Sequence, residues 1–391
     1  MNKQIIELDE YAPLQLSQEL LPLHIGKFLR SRYGNKISVE FPSAGTDHQW
    51  KLISRGWVGF IPLTSQITLR LVPKVEISNL FQMLEYAYGL DISFQDNLVN
   101  CATIEGFYER LAQLLASKVL RKAQKGFYQT YVSAAERLPR VRGRIDIKQA
   151  IYNPWEVNLK CCYQELTGDV PENQILGWAL FLIVNSGLCS HSLPLIRQSY
   201  QALRGIATIC PYSSYDCTNR SYNRLNEDYR PLHALCRFFI ESTGASHHLG
   251  DYTMLAFLVN MAQLFEVFVA EWLSQNLPAG YALRKQERML IETEENRFLK
   301  IDLVIYDTKN NSVYCVLDTK YKKKVDNADL YQITTYAVTK EVSKAILVYP
   351  QDFGRNAVYR MGDIRVQAVT FALHGDLQRN GQEFISALFN S

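Results

Sequence analysis

The chain has 391 residues, 47% of them hydrophobic and 21% charged, with eight cysteines and a formal charge of +3. That length suggests two or three domains with full cores, and so small a charge excludes a polycation that holds nucleic acid by bulk attraction. No run of about 18 uncharged apolar residues is present to span a membrane, the start "MNKQIIELDEYAPLQL" lacks the apolar core of a signal peptide, and no CxxC or Cys/His zinc spacing occurs, so a cytoplasmic protein with reduced thiols is expected.

Residues 1–100 read as mostly β. "KISVEF", "WVGFIPL" and "QITLRLVPKV" are β-branched or aromatic runs separated by Pro, Gly and Asn. A helix follows in "SNLFQMLEYAYGL", with Ser78 or Asn79 as its cap and Gly89 as its stop.

Residues 101–250 read as mainly helical, through "IEGFYERLAQLLASKVLRKAQ" and the all-apolar "NQILGWALFLIVNSGL". This segment holds 17 Lys+Arg against 12 Asp+Glu, while each flank is one unit negative. A basic cluster, Arg137, Arg140, Arg142, Arg144 and Lys148, surrounds Gly143. It reads equally as a contact to phosphates or to an acidic partner, or as a solvated loop. The aromatic "PYSSYDCTNRSYNRLNEDY" reads as an irregular packed loop before a base-stacking one, and His247-His248, with no third ligand evident, reads as surface or linker.

Residues 251–391 change pattern again. A long helix, "MLAFLVNMAQLFEVFVAEWLSQNL", runs to Pro278. Then come a strand "YALRKQERMLI", a hairpin "LKIDLVIYDTKNNSVYCVLDTKYKKK", a helix "NADLYQITTYAVTKE", strands "KAILVYP" and "RVQAVTFAL", and a last helix. That order predicts an α/β domain with a mixed sheet.

The hairpin carries Asp302, Asp318 and Lys320 within apolar runs. Alternation puts Asp318 and Lys320 on one face. A turn centred on Asn310 sets Asp302 across from Asp318. Carboxylates so placed have Cβ atoms roughly 5 Å apart and repel by about 3 kcal/mol at an effective dielectric near 20. A divalent ion between them relieves this, and Mg²⁺ prefers such hard oxygen ligands. With Lys320 beside it, the outline is that of metal-dependent phosphodiester hydrolysis. The alternative is an exposed hairpin face that happens to carry charge. A slip of one residue would separate the acids.

Asp318-Thr319-Lys320 with an upstream acid resembles the PD-(D/E)xK nucleases, although Ile301 stands where their proline precedes the first aspartate. "QITTY", with Gln332 and Tyr336 on one helix face, resembles the Q-h-x-x-Y helix of RecB-like members. Glu266 lies in the apolar stripe of "LFEVFVAEWL", where the superfamily often supplies a further metal-binding acid; a structural ion pair is its other reading. Glu271 reads as solvent-facing. Gln286 on the preceding strand is equally able to point at the site or away.

The remaining segments resemble the McrC family, the nuclease subunit of McrBC-type modification-dependent restriction systems. "PKVEISNLFQMLEYAY", "RVRGRIDI", "ELTGDVPENQIL", "LFEVFVAEWL" and "LDTKYK" are similar to its segments, in order, over most of the chain. The resemblance implies a multidomain α+β architecture: a β-rich N-terminal domain (1–100) that docks on a partner and stimulates its GTPase, a mainly helical middle (101–250), and a C-terminal α/β PD-(D/E)xK nuclease domain (251–391). It implies double-stranded, modified DNA as substrate and an McrB-like AAA+ GTPase oligomer as partner. It also implies Mg²⁺, with Mn²⁺ as substitute, held by Asp302, Asp318 and Glu266. Lys320 would act on water or phosphate, and Gln332 and Tyr336 would support the site. The chain has no GxxxxGK[ST] loop of its own, which suits a division of labour with such a partner. Two other readings use the same residues: a regulator of the GTPase on a degenerate nuclease fold, and a stand-alone RecB-like nuclease.

Overall fold

The computed structural model describes residues 4–64, 66–89, 103–218, 220–243, 247–249, 252–291, 297–322, 324–351 and 357–389. Two compact units emerge: Met1–Phe107 with Leu249–Tyr252 and Ala256–Ser391, and Tyr108–His248 with Thr253–Leu255. The first and last parts of the sequence thus share one unit.

The chain begins with β1 (Gln4–Asp9), β2 (Pro13–Leu16), α1 (Leu23–Tyr33), β3 (Ile37–Glu40), β4 (Trp50–Ser54), β5 (Trp57–Pro62), β6 (Ile67–Val72) and α2 (Ile77–Tyr88). Next come α3 (Ile104–Lys125), β7 (Thr130–Leu138), β8 (Arg144–Ile145), α4 (Ile147–Tyr152), β9 (Leu159–Thr167), α5 (Pro171–Ser186) and α6 (Leu193–Arg204). These are followed by α7 (Ser214–Thr218), α8 (Arg230–Ser242), β10 (His247–Leu249) and β11 (Tyr252–Met254). The C-terminal part holds β12 (Phe257–Asn260), α9 (Met261–Asn276), β13 (Tyr281–Ile291), β14 (Arg297–Asp307), β15 (Ser312–Thr319), α10 (Asn327–Thr339), β16 (Lys344–Tyr349), β17 (Val358–Met361), β18 (Ile364–Thr370) and α11 (Leu377–Phe389).

In the first unit, sheets β2-β4-β3 and β1-β6-β5-β12 enclose a core around Trp50, Leu29, Leu71 and Leu258. The presence of β12 corrects one expectation. The apolar run before Asn260 is not the start of the long helix; it is a strand paired antiparallel with β5, Phe257 facing Phe60. A short, wholly apolar run fits either element, and its partner lies far off in sequence. Helix α9 starts only where the Asn260 side chain accepts from the N–H groups of Ala262 and Gln263. Gly59 permits the pairing: a Cβ there would sit 2.0 Å from the Phe257 carbonyl oxygen.

Helix α2 ends at Gly89 in the left-handed conformation, as expected. Its cap differs. Glu76 occupies that position, and Asn79 is buried one turn in. There its amide donates to the carbonyls of Leu373 and Gly375 at 3.2 and 3.1 Å.

The C-terminal sheet has the order β13-β14-β15-β16-β18-β17. It is mixed: β13 to β15 run antiparallel, β15, β16 and β18 parallel, and β17 antiparallel at the edge. Strand β17 was not anticipated. Residues of β16 are buried on both alternations, so both sheet faces are covered. One cover is α10, through Leu330, Ile333 and Ala337. The other uses α9 and α11, where Trp272 meets Phe371 and Phe384.

The second unit is not helical throughout. Besides α5, α6 and α8 it contains a three-stranded sheet, β7-β9-β8. Its strands mix apolar and polar residues and fully bury only Cys161, so they lack the apolar alternation that marks a strand in sequence. The helices close around Asn173, whose amide bonds to Tyr128 and Gly168 carbonyls and accepts from the Tyr229 hydroxyl. Tyr222 likewise bonds to His233 and Tyr229 is fully buried, so these two tyrosines of the stretch are packed, whereas Tyr215 is exposed. The side chains of His247 and His248 lie outside the described ones. Among the described residues no helix is long and apolar enough to cross a membrane.

Candidate active site

The site forms where β14 and β15 emerge from the sheet core. Leu303 pairs with Leu317 and Val304 with Val316, which sets Asp302 across from Asp318. The turn alone does not produce this register. Near the turn, Asp307 faces Ser312 and Tyr306 faces Val313; Ile305 then faces Cys315, so Tyr314 is an extra residue in β15. Without that bulge Asp302 would face Leu317.

Asp318 is only 1% exposed, and among the described residues neither of its oxygens has a hydrogen-bond donor of proper direction. The Lys320 ammonium stands 2.6 Å from Oδ2, an ion pair by distance that lacks hydrogen-bond direction. Burial pushes the Asp318 carboxyl well above the ordinary carboxylate range; Asp302 adds to this and Lys320 opposes it.

Helix α10 completes the arrangement. Lys320 donates to the Gln332 side-chain oxygen at 2.9 Å, and the Gln332 amide nitrogen donates to the Tyr336 hydroxyl at 2.6 Å. The four-residue spacing places both on one helix face, and Tyr336 thereby turns the amide oxygen toward Lys320. The helix begins with a capping box between Asp326 and Asp329. Asp329 is buried, accepts from the Tyr349 hydroxyl at 3.0 Å, and lies 2.8 Å from Lys322 and 4.0 Å from Lys320. Its part in the lysine network was not foreseen, although the D-x-x-D box itself is readable.

Glu266 and Gln286 meet on the other side. Gln286 donates to Glu266. Its backbone is left-handed (φ 53°), and it stands in register opposite Asp302 between two regular stretches of the β13–β14 ladder. At that level the pleat breaks: Ile301 and Val304, three apart, both join the core beneath α10. Glu266 is raised above the usual carboxylate range by burial first and by Asp302 second, with Lys300 and Lys320 opposing. Glu271 pairs with Lys285 at 2.7 Å, away from this group.

The structure therefore brings together Asp302, Asp318, Lys320, Gln332 and Tyr336, with Glu266 adjoining through Gln286. Among the described residues no three acid, histidine or cysteine side chains converge on one point. Two facing carboxylates, one of them buried with both oxygens lacking donors, still fit Mg²⁺, which commonly takes one or two carboxylates and completes its shell with water and phosphate.

The basic segment belongs to the second unit. Arg137 pairs with Glu156, and Arg142 pairs with Glu165 at 3.3 Å while lying over the Tyr163 ring. Arg140, Arg144 and Lys148 are exposed, as are Ile151, Tyr152 and Trp155, the last 75% exposed.

These features define a mixed α/β protein whose C-terminal sheet presents a carboxylate pair and a lysine at one end. The chain belongs to the family described as McrBC 5-methylcytosine restriction system component, whose model matches residues 52–350. It is 21% identical over 310 residues to the type IV methyl-directed restriction enzyme EcoKMcrBC of Escherichia coli K12, covering 71% of this chain and 86% of that one. A chain of the Thermococcus gammatolerans half-complex of McrB AAA+ hexamers with bound McrC superimposes with a TM-score of 0.62. That match has 19% identity and covers 99% of this chain and 100% of the other, which establishes a shared fold.

Proposed function

We propose that this chain is the DNA-cleaving subunit of an McrBC-type restriction system. In this reading it is a cytoplasmic, Mg²⁺-dependent PD-(D/E)xK endonuclease. It works with an AAA+ GTPase that recognises modified DNA and translocates. The observation that carries the reading is the buried, donor-free Asp318 beside Lys320 and across from Asp302, in a chain of this family. The restriction activity named for the Escherichia coli relative and the McrB hexamers in the Thermococcus assembly support it.

Asp302 and Asp318 would hold the metal. When bound, Mg²⁺ supplies a Lewis acid for the scissile phosphate and a water of lowered pKa. Lys320 carries the positive charge that meets the phosphate as it becomes more negative, or orients the attacking water. Gln332 holds that ammonium in place, and Tyr336 holds Gln332. Glu266, already engaged by Gln286, acts as an outer acid.

For the basic segment the exposed Ile151, Tyr152 and Trp155 favour a protein partner over phosphates alone, because an exposed apolar cluster marks a protein interface. Arg137, Arg140, Arg142, Arg144 and Lys148 would then rim that contact.

The decisive assay is cleavage of modified DNA by the chain with its GTPase partner, GTP and Mg²⁺. Asp318→Ala and Lys320→Ala are expected to keep fold and partner binding and to abolish cleavage. Full cleavage by either variant overturns the proposal, and a parent chain that only stimulates the GTPase supports the regulator reading.

A further inference from the structure

Lys320, the residue just after β15, is still held by the sheet: its N–H donates to the Val348 carbonyl at 2.8 Å. The chain then leaves the sheet in a tight turn, with the Lys322 N–H returning to the Lys320 carbonyl at 3.0 Å. Tyr321 is the centre of this turn and points away from the face that carries Lys320 and Lys322. Its ring meets Phe265 of α9 with centroids 6.0 Å apart. Its hydroxyl donates to Oε2 of Glu10 at 3.1 Å.

Glu10 follows β1, more than three hundred residues away in sequence, and is fully buried. The same oxygen accepts the Lys74 N–H at 3.4 Å, after β6, while Oε1 has no hydrogen-bond partner. Burial raises the Glu10 carboxyl above its ordinary range. Next to it, the Tyr11 hydroxyl donates to the Tyr321 carbonyl at 3.4 Å. A carboxylate buried at the end of a strand is costly, and this one is satisfied through a single oxygen that joins the Tyr321 hydroxyl to the Lys74 backbone.

We infer that Glu10 and Tyr321 are positioning residues of the active site: their hydrogen bond fixes the turn after Lys320 and with it the ammonium beside Asp318. The inference rests on the nuclease reading above. Besides the bond from Lys320 to Gln332, the turn that follows has two tethers beyond the sheet. Lys322 is held by Asp326 and Asp329 on α10, and Tyr321 is held by the N-terminal strands. Removing the second leaves the carboxylates, the α10 contacts and the fold in place but frees one side of the turn. The N-terminal strands then belong to the machinery of cleavage as well as to the scaffold.

The test compares Tyr321→Phe, Glu10→Ala and Glu10→Gln in the full chain with its GTPase partner, GTP and Mg²⁺. Tyr321→Phe and Glu10→Ala are expected to lower kcat about ten- to a hundredfold, as a displacement near 1 Å does, with KM for DNA unchanged and the chain still folded. Glu10→Gln, whose amide oxygen still accepts from Tyr321 and Lys74, should restore kcat to within about threefold of the parent, because it keeps the hydrogen bond that holds the turn. A Tyr321→Phe chain with the parent's kcat overturns the inference, as does a Glu10→Gln chain as impaired as Glu10→Ala. If Glu10→Ala does not fold, Tyr321→Phe alone decides. An Asp318→Ala control separates the two proposals: cleavage by that control removes the nuclease reading, whereas its inactivity beside a fully active Tyr321→Phe removes only this inference.

Discussion

The Lys320 ammonium stands 2.6 Å from Oδ2 of Asp318, a buried carboxylate with no other cation so near among the described residues. Deleting either partner therefore has unequal effects. Asp318→Asn removes a buried charge and leaves Lys320 its bond to Gln332. It should unfold at the same urea concentration as the parent or a higher one. Lys320→Met strands the carboxylate and should cost about 2 kcal/mol, protonation of Asp318 absorbing the rest of the usual penalty. Urea unfolding without metal measures both, and equal stability of the parent and Lys320→Met would contradict the ion pair's role.

Metal binding has a readout that needs no DNA. Adding Mg²⁺ to about 100 times its dissociation constant should stabilise the chain by about 2.7 kcal/mol, seen as a rise in melting temperature. Asp302→Asn or Asp318→Asn should remove the rise. Glu266→Gln should keep most of it, because Glu266 is engaged by Gln286. A rise of full size in Asp318→Asn would place the ion elsewhere.

Tyr336 accepts from the Gln332 amide and so orients it. Tyr336→Phe lets the amide rotate and should lower cleavage about threefold, whereas Gln332→Ala frees Lys320 on that side and should cost about thirtyfold, amounts typical of a loosened support and a lost positioning contact. Steady-state rates for both variants decide it; a larger loss from Tyr336→Phe than from Gln332→Ala would reverse the assigned order.

His233 predicts a pH dependence in the second unit. It is fully buried between the Tyr222 hydroxyl and the Glu172 carbonyl, and burial lowers it from 6.5 to about 4. The unfolded chain takes up a proton near pH 6.5 that the folded chain refuses until about pH 4. The stability contributed by neutral His233 is thus complete above 6.5 and is lost as pH falls through that window, in total on the order of 3 kcal/mol. Melting temperatures from pH 7 to pH 4 should fall steadily, and His233→Gln should flatten part of that slope. An unchanged slope would exclude this histidine as its source.

The six-stranded sheet was largely legible because its strands are apolar runs cut by clear turns, and α10 because Gln332 and Tyr336 repeat at helical spacing. What escaped was set by distant contacts. Strand β12 exists because β5 offers it an edge. Asn79 looked like a cap, yet it is spent on carbonyls near the other end of the chain. The exposed β7-β9-β8 sheet buries too little on either side to write a period of two. At the site, the acids and the lysine could be read from spacing, but Gln286 needs a left-handed backbone that no residue type announces, and Glu10 lies at the opposite terminus.

Tyr314 is held on three sides: it bonds to Lys344 at 2.9 Å, stacks on Phe389 and meets the edge of Tyr281. Because this one surplus residue sets which side chain lies across from Asp302, the hairpin obeys a counting rule. The loop between Asp307 and Ser312 can lengthen or shorten freely in related chains, since it lies outside the bulge. The stretch from Ser312 to Asp318 cannot change by a single residue without carrying Asp318 to the wrong side of the sheet. Natural variation in this hairpin should therefore gather at its tip and leave the spacing from Tyr314 to Asp318 untouched.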